Sequence, residues 1–174
     1  MLAMASCFLG LMTLPGCGAA AQGGNQDPPS APEPPDSALI SGSRAVTGEI
    51  GSYCWSSGSG GSCVDAVFPL VPDKEKALAV SAGSDMVFDY GGEGPPDSVR
   101  AGAEPLGPGG KPADSRSSPL EVDGTADRVT IPAELPAGDY VVDVSVTVPQ
   151  GDASYYFRVV VGRDEVALPE TGGP

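Results

Sequence analysis

The strongest constraint on the fold is an alternation of apolar and mostly polar side chains over residues 140–148. Tyr140 and four valines occupy every second position of this segment. Because successive side chains of a β-strand point to opposite faces, a period of two predicts a strand that buries one face. The alternation resumes over residues 155–161, after turn residues at 149–152. Two such segments with a short connection predict an antiparallel hairpin.

Several shorter segments with the composition of strands precede this hairpin. They are residues 44–50, 52–55, 64–68, 77–80, 85–90, 98–103, 120–122 and 128–131. The chain carries 25 glycines and 19 prolines, many of which separate these segments, and no segment has a convincing helical period. Short strands divided by turn residues predict an all-β fold, namely an immunoglobulin-like or fibronectin III-like antiparallel β-sandwich.

The segment Leu135–Tyr140 immediately precedes the long alternating strand. Its sequence, Leu-Pro-Ala-Gly-Asp-Tyr, resembles a tyrosine corner, in which the phenol hydroxyl bonds to the backbone a few residues upstream. This interpretation places the segment late in an immunoglobulin-like fold. The alternative is that Tyr140 is only the first core residue of its strand.

The N-terminal segment has the character of an export signal. Residues 2–14 are an uncharged apolar run, too short to span a bilayer of about 30 Å but typical of a signal peptide core. The sequence Leu-Pro-Gly-Cys at 14–17 resembles a bacterial lipobox. We therefore expect residues 1–16 to be a lipoprotein signal peptide and Cys17 to be lipidated. The alternative is an ordinary secretory signal cleaved near residues 19–21.

Composition divides the rest of the chain into three parts. Residues 17–38 are rich in proline and glycine, which predicts a disordered linker. Residues 39–166 hold the predicted strands and form the β-sandwich domain, with a long Gly/Pro loop at 91–118 that we expect to be mobile. Residues 167–174 form a C-terminal tail with the sequence LPETG, which matches the signal read by sortases. Working sorting signals continue into a hydrophobic segment and a basic tail, so the motif is either the start of a truncated signal or a relic or coincidental match, and attachment to the cell wall is the less favoured alternative.

Two cysteines, Cys54 and Cys63, lie within the domain that we expect to be exported. Cysteine pairs oxidise in such compartments, and the eight residues between them are flexible enough to let the pair close. A redox role favours the closer CxxC spacing, and zinc would need more thiolates or histidines. The sequence therefore predicts a structural disulfide.

Charge and composition disfavour several classes of function. Nine basic and 23 acidic residues give a formal net charge of −14, which disfavours nucleic acid and anionic lipid surfaces as partners. The chain has no histidine, which excludes a Ser-His-Asp triad and a His-ligated zinc. The acids within residues 123–127, together with Asp85 and Asp89, lack the spacing of a calcium loop. We expect no metal, no cofactor and no enzymatic activity.

A series of short motifs carries a family resemblance. The motifs are GSYCW at 51–55, CVD at 63–65, FDY at 88–90, PP at 95–96, GDY at 138–140 and GDASYYF at 151–157. Their order and spacing resemble a group of uncharacterised lipoproteins of Gram-positive bacteria over most of residues 48–162. The resemblance implies a lipid-anchored all-β domain on the extracellular face of the cytoplasmic membrane, and it implies no particular activity.

Trp55 and Asp65 adjoin the two cysteines and form the candidate binding surface. Trp55 is the only tryptophan of the chain. It is either buried or an exposed aromatic anchor, and burial is favoured because Tyr53 and Trp55 share one face of an extended segment. We expect a non-catalytic module, held to the membrane by its N-terminal lipid, that binds a protein or an envelope component. The alternatives are a β-sandwich proteinase inhibitor with its loop at residues 55–62, and a structural envelope spacer.

Overall fold

The computed structural model describes residues 31–58, 60–67, 70–113, 117–124 and 127–162. Within these ranges the regular structure consists of β-strands and one turn of 3-10 helix at Lys74–Lys76. In chain order the strands are β1 (Ala38–Ser41), β2 (Arg44–Thr47), β3 (Glu49–Ser57), β4 (Gly60–Val64), β5 (Leu78–Ser81), β6 (Asp85–Asp89), β7 (Ser98–Pro105), β8 (Ser118–Leu120), β9 (Arg128–Pro132), β10 (Gly138–Val148) and β11 (Gly151–Gly162).

The strands form two sheets that pack against each other. The smaller sheet has the strand order β2-β1-β6-β9. The larger sheet has the order β4-β3-β11-β10-β7-β8, and β5 lies beside the second half of β11. The pairing of β5 with β11 is parallel, and the other described strand pairs are antiparallel. The predicted all-β sandwich is confirmed.

The two long alternating segments form the central hairpin of the larger sheet. β10 and β11 pair without a shift of register, from Gly138 opposite Val161 to Val148 opposite Gly151. The apolar positions 140, 142, 144, 146 and 148 are all buried. The predicted hairpin and its inward face are therefore confirmed.

The core lies between the inner faces of the two sheets. Phe88 of β6 contacts Tyr155 and Phe157 of β11, with ring centroids 5.9 and 6.1 Å apart. Leu39 of β1 and Ile131 of β9 are fully buried in the same cluster. Burial of one such side chain stabilises a protein by about 1.5 to 3 kcal/mol. The apolar side chains between the two sheets therefore hold the sheets together.

The Gly/Pro-rich segment at 91–118 is not a single loop. Its middle forms β7, which pairs with β10 over eight residues and lies inside the larger sheet, between β10 and β8. A glycine suits this place because the side chains of Ser117 and Asp143 leave no room for a Cβ atom at Gly102. β7 confirms the predicted strand at 98–103 and divides the segment into two shorter connections, so the expectation of one long loop over 91–118 is wrong.

The packed domain begins before Leu39. Ser37 is buried, and its carbonyl accepts a hydrogen bond from the N–H of Gly48 at 3.0 Å. The hydroxyl of Tyr155 donates to the carbonyl of Pro35 at 2.9 Å. This short segment therefore packs on the sandwich, although its composition predicts a linker.

The predicted tyrosine corner has the expected hydrogen bond. The hydroxyl of Tyr140 donates to the carbonyl of Pro136 at 2.9 Å. The ring is also buried, near the start of β10. Tyr140 therefore packs in the core with its ring and holds the preceding segment in place with its hydroxyl.

Three sequence predictions fall outside the described residues. These are the signal peptide at 1–16, the lipidated Cys17 and the LPETG tail. In the described part of the chain, no helix is long and apolar enough to cross a membrane.

Candidate interaction site

Cys54 and Cys63 form the predicted disulfide. They lie directly opposite each other in β3 and β4, with Cα atoms 4.1 Å apart. Both residues are exposed. Because the bond joins two neighbouring strands at the end of the larger sheet, it holds the β3–β4 hairpin together as one unit.

The residues between the two cysteines are mostly paired strand. The ladder continues from the cysteine pair to Ser57 opposite Gly60. At the turn, Gly58 has φ of +57°, a left-handed conformation that glycine adopts at little cost. The described residues of 55–62 are therefore largely paired across β3 and β4, unlike the unpaired loop that the inhibitor alternative requires.

β4 is an edge strand of the larger sheet, and among the described residues it pairs with β3 alone. The N–H of Ser56 donates to the carbonyl of Gln150 in the β10–β11 turn. The backbone groups of Ser56, and of Cys54 two residues earlier, therefore point away from β4. The Cα distance of 4.1 Å between the two cysteines also indicates that they share no backbone hydrogen bonds. In antiparallel sheets the Cα atoms of such pairs lie about 4.5 Å apart, whereas those of hydrogen-bonded pairs lie about 5.5 Å apart.

The free edge of β4 consequently presents the backbone N–H and C=O groups of Cys63. In a pair that shares no hydrogen bonds, each residue directs these groups to its outer side. Gly61 lies two residues earlier and has the same orientation, whereas Ser62 and Val64 direct their groups to β3. Such a row of outward groups is a template for a further strand.

Three other edge strands carry features that hinder strand addition, whereas β5 (LAVS), which pairs with β11 alone among the described strands, has neither a proline nor a charge but exposes no large apolar side chain. β8 is three residues long and contains Pro119, β9 includes Arg128 and Pro132, and β2 begins with Arg44. Proline lacks the N–H donor, and a charged side chain on an edge resists burial by another strand. β4 has the sequence GGSCV, with neither a proline nor a charge. Its edge is therefore unguarded.

Two exposed large hydrophobic side chains lie at the end of this strand. Val64 is 43% exposed and Val67 is 88% exposed, and they are the exposed large hydrophobic residues of the described chain. Val64 lies opposite the core residue Tyr53, so it continues the apolar inner face of the sheet onto its last strand. Val64 lies on β4 itself and Val67 follows three residues later, so two apolar side chains are exposed on or close in sequence to the unguarded strand.

A hollow of about 320 Å³ lies beside the disulfide. It is lined by Ser52, Tyr53, Cys54, Cys63, Val64, Asp65 and Asp152. Asp152 lies opposite Cys54 in the ladder, so the two side chains share a face of the sheet. The charged groups of this lining are both carboxylates, and the hollow therefore favours basic side chains of a partner.

Trp55 and Asp65 do not form a joint surface. Trp55 is 9% exposed and packs in the core, which is the alternative that the sequence favours. Trp55 also contributes to the wall of a separate hollow of about 330 Å³. This hollow is lined by Glu33, Pro35, Trp55, Tyr90, Gly91, Gly92, Glu93 and Gln150. Trp55 follows Cys54 in an extended strand, so its side chain points to the opposite face from the disulfide. Of the two predicted residues, only Asp65 lies at the hollow beside β4.

Arg158 and Asp139 form an ion pair on the outer face of β10 and β11, which the sequence does not single out. The guanidinium donates to both carboxylate oxygens, at 3.0 Å from Nε and 2.7 Å from Nη2. The hydrogen bond to Asp139 raises the pKa of Arg158. The guanidinium also donates to the carbonyl of Pro72, so the pair fastens the connection between β4 and β5 and has a structural role.

The acidic residues considered for calcium do not converge. Asp89 accepts hydrogen bonds from Arg128, and Asp123 lies in a backbone bridge with Thr130. In the part of the chain that the structure describes, no group of three or more acidic or cysteine side chains is arranged to hold a metal ion.

No protein-family model matches this chain, and no curated protein matches it at a significant level. The function is therefore argued from the geometry of the β3–β4 hairpin and from the sequence pattern.

Proposed function

We propose that this protein is an exported lipoprotein that acts as a non-catalytic binding module on the extracellular face of the bacterial cytoplasmic membrane. Lipid on Cys17 holds it at the membrane, and the β3–β4 hairpin binds a polypeptide partner. The lipobox-like sequence at 14–17 and the resemblance to lipoproteins of Gram-positive bacteria support the anchoring. Stable anchoring requires two or more acyl chains.

The observation that carries the binding role is the unguarded edge of β4. A disulfide holds this strand in place, no charge or proline blocks it, and Val64 and Val67 expose apolar surface next to it. Isolated domains avoid such edges because they promote association with other chains. An edge that is kept open and rigid therefore supports a binding role.

The two alternative classes fit the hairpin less well. A proteinase inhibitor presents an extended and unpaired segment to the protease cleft, whereas residues 55–62 are largely paired in a ladder. A structural spacer has no need of an open edge with apolar side chains beside it. The binding role uses both features.

The anchoring is tested by mass spectrometry of the mature N-terminus. We expect a peptide that begins at Cys17 and carries acyl chains, in protein recovered from the membrane fraction. An unmodified N-terminus at Gln22 would contradict the anchoring and would support an ordinary secreted protein.

The binding role is tested by photo-crosslinking in the producing cells. A photo-reactive amino acid is placed at position 67, three residues after β4, and in a matched control at the exposed Glu134, which follows β9 of the smaller sheet. We expect an adduct of discrete mass from position 67 and none from position 134. Absence of an adduct at position 67, or the same adducts at both positions, would argue for a spacer.

A further inference from the structure

We infer that the partner binds by strand addition, as an extended segment that pairs with the free edge of β4 and has apolar side chains on one face and basic side chains on the other. This inference rests on the proposed binding function and specifies how the hairpin recognises its partner. It follows from the backbone of β4, from the rigidity of the hairpin and from the chemistry of its two faces.

The backbone of β4 defines the shape of the partner. Gly61 and Cys63 direct N–H and C=O groups outward at a spacing of two residues, as the pairing of β3 with β4 and β11 requires. Two such residues are matched by the alternating groups of an extended chain, as in known modes of strand addition. A helix already uses its own backbone groups and does not match them.

The hairpin is ordered before the partner arrives. The Cys54–Cys63 bond joins β3 to β4 at the second pair of their ladder, far from the turn, and β3 is itself paired with β11. Binding to an edge that is already rigid avoids much of the entropy loss of ordering it. The disulfide therefore favours recognition by backbone pairing.

The inner face of the added strand meets apolar surface. Val64 lies on the same face as Tyr53 and remains 43% exposed, because β4 is the last strand of the sheet. An apolar side chain of the partner on this face would cover Val64 and continue the core layer by one strand. The inner positions of the partner are therefore apolar.

The outer face of the added strand meets the acidic hollow. Asp65 and Asp152 line it beside the disulfide, and no basic residue shares the lining. Alternate residues of an added strand point to this face. Lysine or arginine at these positions pairs with Asp65 next to β4 while its aliphatic stem covers the edge of the disulfide, and Asp152, two strands further into the sheet, adds to the negative potential of this face.

A second copy of this chain is a poor occupant of the edge. Each copy has a formal net charge of −14. Pairing of two β4 edges would also place the acidic outer faces of both copies, with Asp65 and Asp152, side by side in one continuous sheet with no basic side chain from this hollow to balance them, and like charges oppose association. The charges therefore favour a different polypeptide with basic side chains.

The test uses the full chain, purified from whichever of membrane or medium contains it, and the blocked peptide Lys-Val-Lys-Val-Lys as probe. Binding is measured by calorimetry, and we expect it to require the outward N–H of Gly61. In Gly61→Pro this donor is lost while the bonds to β3 remain, and the probe should bind about tenfold more weakly or worse.

In the matched variant Gly61→Ala the donor remains, and the added Cβ atom has ordinary contacts only. Its affinity should stay within about twofold of the parent, because a lost donor and not the added bulk carries the effect.

A second measurement leaves the protein unchanged, so it holds even if Gly61→Pro fails to fold. Two probe peptides are compared, one methylated on its lysine amides and one on its valine amides. Only alternate amides of an added strand face β4, so one peptide should bind like the parent probe and the other should not. Equal affinities of the two would overturn strand addition.

Three outcomes separate this inference from the proposed function. If Gly61→Pro binds the probe as tightly as the parent, strand addition is wrong, although an adduct at position 67 would still support binding. If Glu-Val-Glu-Val-Glu binds as well as the lysine peptide, the basic partner is wrong. If sedimentation shows a dimer that Gly61→Pro abolishes, the occupant is a second copy and the choice of partner is wrong.

Discussion

At the scale of single residues, two buried tyrosines fasten irregular segments to the sandwich. The hydroxyl of Tyr140 donates to the carbonyl of Pro136, and that of Tyr155 to the carbonyl of Pro35. In each case a ring in the core fixes a backbone segment that has no strand partner of its own there. The alternations of residues 140–148 and 155–161 predict the ring positions of Tyr140 and Tyr155, and the motif at 135–140 predicts the first bond. The second bond has no local signal, because Tyr155 and Pro35 lie 120 residues apart.

Replacing Tyr140 by phenylalanine should destabilise the protein by about 0.5 to 1.5 kcal/mol, the usual value of one lost hydrogen bond. The ring and its packing stay in place, so the change isolates the tie to Pro136. The free energy of unfolding in denaturant measures it. A neutral Tyr140→Phe would mean that the corner contributes nothing to stability.

The free energy of unfolding should decrease at alkaline pH because Tyr155 ionises more readily in the unfolded chain than in the folded protein. Burial raises the pKa of Tyr155, and the charges of Tyr90 and Asp36 raise it further. A phenol whose pKa is raised on folding contributes fully below the unfolded value of about 10, and this contribution is lost as the pH rises through the folded value. The free energy of unfolding should therefore decline from about pH 10 upward, and less steeply in Tyr155→Phe. Parallel declines in the two proteins would contradict this assignment.

The fluorescence of Trp55 reports its place directly, since it is the only tryptophan. With 9% of the residue exposed, we expect a blue-shifted emission that acrylamide quenches weakly. Unfolding in denaturant should shift the emission to the red and restore quenching. A red-shifted and strongly quenched emission in the native protein would instead place Trp55 on the surface.

Among the elements, the β3–β4 hairpin is the one whose strand bounds the sequence predicts least well. The pattern predicts a strand at 64–68, and the structure has β4 at Gly60–Val64. Glycine and serine are poor strand formers, so the local sequence indicates a loop. The pairing with β3 and the disulfide override this preference. The cysteine pair was the usable signal, because two bonded cysteines with a small turn between them fit opposite positions of a hairpin.

Reduction of the disulfide should lower thermal stability without abolishing the fold. By loop entropy, a bond that closes so short a segment contributes about 2 to 3 kcal/mol. The large sheet interfaces and the core do not depend on it. Thermal unfolding of the Cys54→Ser/Cys63→Ser variant should show a lower but still cooperative transition. Free thiols in the native exported protein, or an unfolded double variant, would contradict this role.

At the scale of the whole molecule, the larger sheet is wider than the smaller one and ends in an exposed strand. Four of the five residues of β4 are exposed, so both of its faces are accessible to a partner. The all-β sandwich follows from the sequence, because alternation is a local signal. The position of β4 at an edge does not, because it depends on β3 pairing with the distant β11. Export, lipidation and the absence of catalysis remain predictions from the sequence.

Residue-resolved amide hydrogen exchange of β4 tests whether a partner pairs with the free edge of this strand. In the free protein, the amides of Gly61 and Cys63 should exchange fast, because they point outward, while those of Ser62 and Val64 should be protected by β3. Saturation with Lys-Val-Lys-Val-Lys should protect Gly61 and Cys63 and leave the other two unchanged. The account would be contradicted if Gly61 and Cys63 were already protected in the free protein, or if their exchange did not change when the peptide is bound.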